Sequence, residues 1–301
     1  MIYIATVHWQ SDAWILPQLN SLKKFINEPF EVFAFLNGID NPETFPIEHL
    51  YTEEITHHAK KLNILADEII QISESEDDLI VFIDGDAILI NPIDKLIAIA
   101  KSDQKLAAVQ RLENNGDLQP HPCFTITTTG FWKEIKGDWS DDEPWQDLEG
   151  NEVFDVGGTL YNQLKRKGIK WHPIHRSNRF NLHVLNYAVY GDFVYHHGSG
   201  FRENAGGRVG IQDAVKNHAA LEYIYRLLRS ILPSKAWIKL RHSIFHPHGI
   251  AKRKVIRRNT PIAFRIFQEL IKNPDFVQSF ISENPEDWKR IEEVAYAIPH
   301  R

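Results

Sequence analysis

Residues 79–83 read Leu-Ile-Val-Phe-Ile, five apolar side chains without a break, and the run stops at Asp84-Gly85-Asp86. A strand that is apolar on both faces needs cover on both, and a mainly parallel sheet with helices on either side supplies it. The preceding sequence agrees. Residues 2–7 form another short apolar run, followed by Ser11 and Asp12 at a helix start and by Trp14, Ile15, Leu19, Leu22, Phe25 and Ile26 at helical spacing. Residues 31–36 are a further β-prone run, closed by the turn signal Asn37-Gly38. Helices are expected over about 52–72 and 91–100, and a strand over 105–110. This alternation predicts a doubly wound α/β layer, whose ligands sit beyond the carboxyl ends of the strands.

From about 114 to 151 the sequence turns irregular and aromatic, with Phe131, Trp132, Trp139 and Trp145 among Gly, Pro and Asp, and reads as a loop-rich substrate region. Trp132 and Trp145 have two readings there, an apolar floor for a sugar ring or plain core. Residues 154–167 read as a helix with Asp155 near its start and Gly168 as its stop, and strands are expected over 169–173 and 192–197. Helical patterns over 213–231, 234–244 and 261–281 then make a C-terminal helical extension.

The formal charge of −6 is unevenly spread. Residues 202–258 carry 13 Lys or Arg against 3 Asp or Glu, which leaves 21 against 37 elsewhere. Such a basic segment suits nucleic acid, an anionic membrane or a phosphorylated substrate, and its arginine spacing does not choose among them. A solvated face, or contact with the acidic remainder or another subunit, is the plainer alternative. No stretch approaches the roughly 18 apolar residues of a spanning helix, and the opening MIYIATVHWQSD has neither the basic region nor the length of a secretory signal. The expectation is a cytoplasmic protein. One cysteine, Cys123, excludes an internal disulfide and a thiolate metal cluster.

The acidic pair carries the sharpest chemistry. Asp84 and Asp86 are two residues apart at a strand end, with Gly85 letting the backbone approach a ligand, and paired carboxylates suit a hard divalent cation that bridges phosphate oxygens. Asp at a strand end can equally be a solvated cap. Further candidates accompany it in order: Asn37-Gly38-Ile39-Asp40 at the end of the second strand, His58 to Asn63 (HAKKLN) on a helix, Asp155 at a later helix start, and Tyr195-His196-His197-Gly198-Ser199-Gly200-Phe201-Arg202 after a strand.

In the order and spacing of these motifs, residues 2–202 resemble a nucleotide-sugar glycosyltransferase of the GT-A fold, nearest in pattern to the family 2 type. The resemblance implies a Rossmann-like, mostly parallel sheet flanked by helices, with a nucleotide-sugar half over about 1–110, an acceptor half over about 111–202 and a basic helical extension over 203–301. It implies a hexosyltransferase-type enzyme with Mn²⁺ or Mg²⁺. The imidazole in the implied ligand set leans toward Mn²⁺. Thr6, His8, Asn37, Asp40, Lys61, Asn63, Asp84, Gly85 and Arg202 would contact the donor, and Asp84, Asp86 and His197 would hold the metal. His196 and His197 point to opposite sides of an extended chain, so one of the two turns inward. His57 and His58 read as solvated helix residues.

Asp155 would be the general base, with Asp141, Asp142 and Glu143 as fallbacks; a helix cap is the alternative role for Asp155. The family pattern often has Glu-Asp there, where this chain has Phe154-Asp155. Inversion is the expected stereochemistry, and retention stays open because the late HHGSG also resembles retaining families. Implied partners are a nucleotide-sugar donor and a carbohydrate or lipid-linked acceptor, with no nucleic acid, and peripheral contact of the basic tail with an anionic membrane. Two other readings remain: a phosphatase-type hydrolase with an aspartyl nucleophile, and a non-catalytic nucleotide- or glycan-binding protein.

Overall fold

The computed structural model describes residues 1–112, 117–146, 152–177 and 188–198, with a few positions between 227 and 273. In chain order the elements begin β1 (Ile2–Trp9), α1 (Ile15–Phe25), β2 (Phe30–Asn37), β3 (His49–Tyr51), α2 (His58–Ile72), β4 (Leu79–Asp84) and β5 (Ala87–Leu89). They continue α3 (Asp94–Ala100), β6 (Leu106–Val109), β7 (His121–Thr128), α4 (Thr129–Ile135), β8 (Trp145–Gln146), β9 (Glu152–Val153), α5 (Gly158–Arg166), β10 (His172–Ile174), β11 (Ala188–Tyr190) and β12 (Val194–His196).

Seven strands form the main sheet in the order β10-β6-β7-β4-β1-β2-β3. Strands β1, β2, β3 and β4 run parallel, as do β6 and β10, while β7 is antiparallel to both β4 and β6. The period of two explains why the strands are apolar throughout. Ile4, Val32, Val81 and Ile83 face one side and pack with Ile15, Leu19 and Leu22 of α1 and Leu96 of α3. Ala5, Phe33, Ile80 and Phe82 face the other and pack with Leu62, Leu65 and Ile69 of α2, Trp132 of α4 and Leu160 of α5. Helices thus cover both faces of a mostly parallel sheet, the α/β arrangement that the GT-A resemblance implies.

The chain reverses its direction of travel across the sheet once β3 is laid down, returning to place β4 on the far side of β1. The crevice at the carboxyl ends of β1 and β4 is therefore the topological switch point. A small antiparallel sheet, β11-β12-β5, stands beside it. Its register sets His196 opposite Ala87.

Several expectations are corrected here. Residues 114–151 are not mainly loop: β7 is buried along its whole length, and α4 follows directly. Trp132, Trp139 and Trp145 are core, since Trp132 and Trp139 both pack on Phe82 and all three are buried, so Trp132 and Trp145 form no sugar platform. The helix expected from 52 begins at His58, after β3. The helix expected from 154 begins at Gly158, with Gly157 at its cap in the left-handed region (φ 90°), where a side chain would also strike the Pro120 carbonyl. Strand β7 sits between β4 and β6 in the main sheet. The helical extension over 203–301 lies outside the described residues apart from those few positions.

Candidate active site

The end of β1 and the Asp84-Gly85-Asp86 turn are locked together by a buried side chain of α1. Gln18 donates both amide protons, to the carbonyls of Asp84 and Ala87, each at 2.8 Å. Its Oε1 is thereby the acceptor, and it receives Thr6 Oγ1 at 2.9 Å and His8 Nε2 at 3.2 Å. His8 thus carries its proton on Nε2. Burial pushes its pKa down to about 4, so the ring is neutral. Gly85 is required by close approach: a Cβ there would lie 2.4 Å from the Val7 carbonyl and 2.9 Å from His8 Nδ1.

Two histidines converge on the carboxylates. His196 Nε2 lies 3.2 Å from Asp86 Oδ1 and 3.6 Å from Asp84 Oδ2. His58 Nε2 lies 3.1 Å from Asp84 Oδ1. Burial alone would drive the proton from His196, but the Asp86 carboxylate, with Cys123 beside the ring, holds its pKa well above the ordinary value. One ligand atom each from Asp84, Asp86 and His196 falls within 4.8 Å of the others. Two carboxylates and one imidazole at that spacing fit a divalent cation.

The histidine that faces the two carboxylates is therefore His196 rather than the expected His197. His197 turns the other way, as alternation along an extended chain requires: its ring packs on Trp14 with centroids 4.7 Å apart, and its Nδ1 meets Tyr195 Oη at 2.9 Å. Burial lowers its pKa to about 4.

A cavity of about 480 Å³ opens over the cluster, with Val7, His8, Trp9, Asp84, Gly85 and Asp86 among its walls. Lys61 also lines it, with Nζ 4.1 Å over the Trp9 ring and its pKa pushed down to about 8 by burial. Arg111 lines it too, bonded to Asp117 at 3.2 Å and to Asp155 at 3.1 Å. Burial works against the Arg111 charge, but these two carboxylates hold the guanidinium protonated. His121, at 6.4 Å between ring centroids from His196, accepts the Cys123 N–H on Nδ1 and is kept neutral by burial.

Of the donor residues expected from sequence, His8, Lys61, Asp84 and Gly85 come together on this wall. Four do not. Thr6 is buried behind it on Gln18, and Asn37 is buried with Nδ2 on the Thr52 and Glu53 carbonyls. Asn63 ties α2 to Asp138 and to the Trp139 amide, and Asp40 is exposed in the loop after β2. Arg202 lies outside the described residues. Asp155 is not a helix cap; its Oδ2 accepts from Arg111 and its Oδ1 from the Val156 amide, and Arg111 and Val156 both line the cavity. The fallback Glu143 is committed to Arg166, while Asp141 and Asp142 are exposed.

Sequence reasoning missed Gln18, Arg111 and His121 and dismissed His58. Gln18 left a signal, a large polar residue on the apolar stripe of Ile15, Leu19 and Leu22. Arg111 left none, because it sits in no motif.

No protein-family model and no curated protein matches this sequence. Among solved structures it is similar to S. aureus TarS, at 13% identity over 46% of this chain and 30% of that one, with a TM-score of 0.34. It is also similar to the glycosyltransferase GlyE of Streptococcus pneumoniae TIGR4 (11% identity, 44% of this chain, 36% of that chain, TM-score 0.34). A third is the catalytic domain of Drosophila beta1,4galactosyltransferase 7 in complex with xylobiose (11% identity, 65% of this chain, 71% of that chain, TM-score 0.36). The matches span about a third of the length of the first two structures.

Proposed function

We propose that the protein is a metal-dependent glycosyltransferase that moves a sugar from a nucleotide-diphosphate sugar to a hydroxyl acceptor, with inversion. The observation that carries this reading is the Asp84–Asp86–His196 cluster at the topological switch point, under a cavity that also presents Lys61 and Arg111. Carboxylates that gather a cation, set beside basic side chains, suit a diphosphate.

Asp84, Asp86 and His196 would hold the cation, and the imidazole favours Mn²⁺ over Mg²⁺. Bound there, a divalent cation supplies Lewis acidity to the charge that builds on the leaving diphosphate. Lys61, whose ammonium is set on the Trp9 face with no carboxylate partner among the described residues, offers its charge to the same anion. His8, neutral and fixed by Gln18, shapes the wall without adding charge.

Asp155 is the proposed base. As the acceptor oxygen attacks the anomeric carbon and the bond to the diphosphate oxygen breaks, the hydroxyl proton passes to the Asp155 carboxylate. Arg111, itself in the cavity wall, holds the carboxylate by its bond to Oδ2. The acceptor's class and the contact of the basic tail with an anionic membrane belong to the same proposal.

The test is turnover of a panel of nucleotide sugars with Mn²⁺ and simple sugar acceptors, read as nucleoside diphosphate release and as product anomer by NMR. Asp155→Asn should lower turnover by about 100-fold or more while keeping nucleotide binding. Binding without turnover in the wild type would favour a non-catalytic protein, and release of phosphate from a generic aryl phosphate would favour a hydrolase.

A further inference from the structure

The two oxygens of Asp84 do different things. Oδ2 lies 3.6 Å from His196 Nε2, while Oδ1 lies 3.1 Å from His58 Nε2. His58 lines the same cavity, but its ring nitrogens are outside the set of ligand atoms that fall within 4.8 Å of one another, so it meets the cluster through Asp84. An ionised carboxylate only accepts, so the hydrogen bond requires His58 to donate from Nε2. The terminal torsion of an aspartate is broad and roughly two-fold, and a carboxylate with nothing on its outer oxygen is free to turn. His58 opens α2, and Lys61, one turn later, reaches the same cavity, so the start of this helix serves both the carboxylate and the basic wall.

We propose that His58 is a positioning residue for the metal centre: by holding Asp84 Oδ1 it fixes the carboxylate plane with Oδ2 turned toward Asp86 and His196. This rests on the metal reading above. The His58 side chain is 36% exposed, and a polar contact at such a site contributes little to folding, so its effect is on metal affinity rather than on stability.

The experiment is Mn²⁺ titration of the full chain, followed by the electron paramagnetic resonance of free Mn²⁺. Wild type, His58→Ala, His58→Gln and Asp86→Ala are compared, with the metal-free melting temperature of each. His58→Ala should weaken Mn²⁺ binding by about 10- to 100-fold. Its melting temperature should move by no more than about 2 °C. His58→Gln, whose amide N–H can reach the same oxygen, should recover much of the affinity, and Asp86→Ala should abolish binding. If Asp86→Ala abolishes binding while His58→Ala binds as wild type, or if the Ala and Gln variants are weakened equally, the positioning role is overturned and the metal site stands. A wild type that binds no Mn²⁺ overturns the metal reading, and this proposal with it.

Discussion

Gln18 and Gly85 decide whether the acidic turn exists at all. The Gln18 amide satisfies two carbonyls and accepts two donors in a buried site, so Gln18→Ala strands Asp84 O, Ala87 O and the Thr6 hydroxyl together. Each group left without a partner costs about 1–3 kcal/mol, and the variant should show a clearly lower denaturant midpoint. Gly85→Ala forces β1 and the turn apart, because its Cβ would meet the Val7 carbonyl at 2.4 Å. A loss of about 1–3 kcal/mol is expected, together with weaker Mn²⁺ binding, both read on one purified sample.

The buried histidines set a pH dependence. Folded His8 and His197 have pKa values lowered from 6.5 to about 4, so as pH falls through that window the unfolded chain takes up protons that the folded one refuses. Stability is then lost on acidification, by about 2 kcal/mol for each histidine between roughly pH 7 and pH 5. His196 has a raised pKa; its contribution is fully present below its unfolded pKa and does not reverse this trend. Urea melts at the two pH values check it, and the drop should shrink in His197→Gln.

At the scale of elements, β12 makes the site by carrying His196 to the acidic turn. The pairing of β12 with β5 puts His196 opposite Ala87, and the His197 amide donates to the Asp86 carbonyl at 3.0 Å. His196→Ala should therefore remove high-affinity Mn²⁺ binding, whereas His197→Gln should retain it. Isothermal titration of both variants distinguishes them. The sequence shows that one of two adjacent histidines faces inward but not which, since that depends on register with a strand about a hundred residues earlier. Strands β1, β2 and β4 are legible because burial on both faces leaves an unbroken apolar run. Strand β7 is hidden because His121, Pro122 and three threonines interrupt it, and all are buried by neighbours remote in sequence. Asn63 and His58 exchange roles for a similar reason: a helix pattern gives spacing along α2, but only packing against Trp139 and Asp84 tells which face each residue meets.

For the whole molecule, the main sheet binds early and late sequence into one unit. Strand β7 hydrogen-bonds to β4 on one side and β6 on the other, and β10 pairs with β6. Residues 1–110 alone would leave the central strand β4 with an open apolar edge, so this fragment should show no cooperative thermal transition by circular dichroism. The same topology puts the carboxyl ends of β1 and β4 at a switch point where a crevice forms, and Asp84, Asp86, His196, Lys61 and Arg111 line it together. The most direct test of the account is calorimetric titration of nucleoside diphosphates and nucleotide sugars, with and without Mn²⁺, on wild type and Asp86→Ala. Mn²⁺-dependent binding of one nucleotide, lost in Asp86→Ala, is expected; binding of none of them, or binding indifferent to both the metal and the substitution, would contradict a metal-dependent donor site.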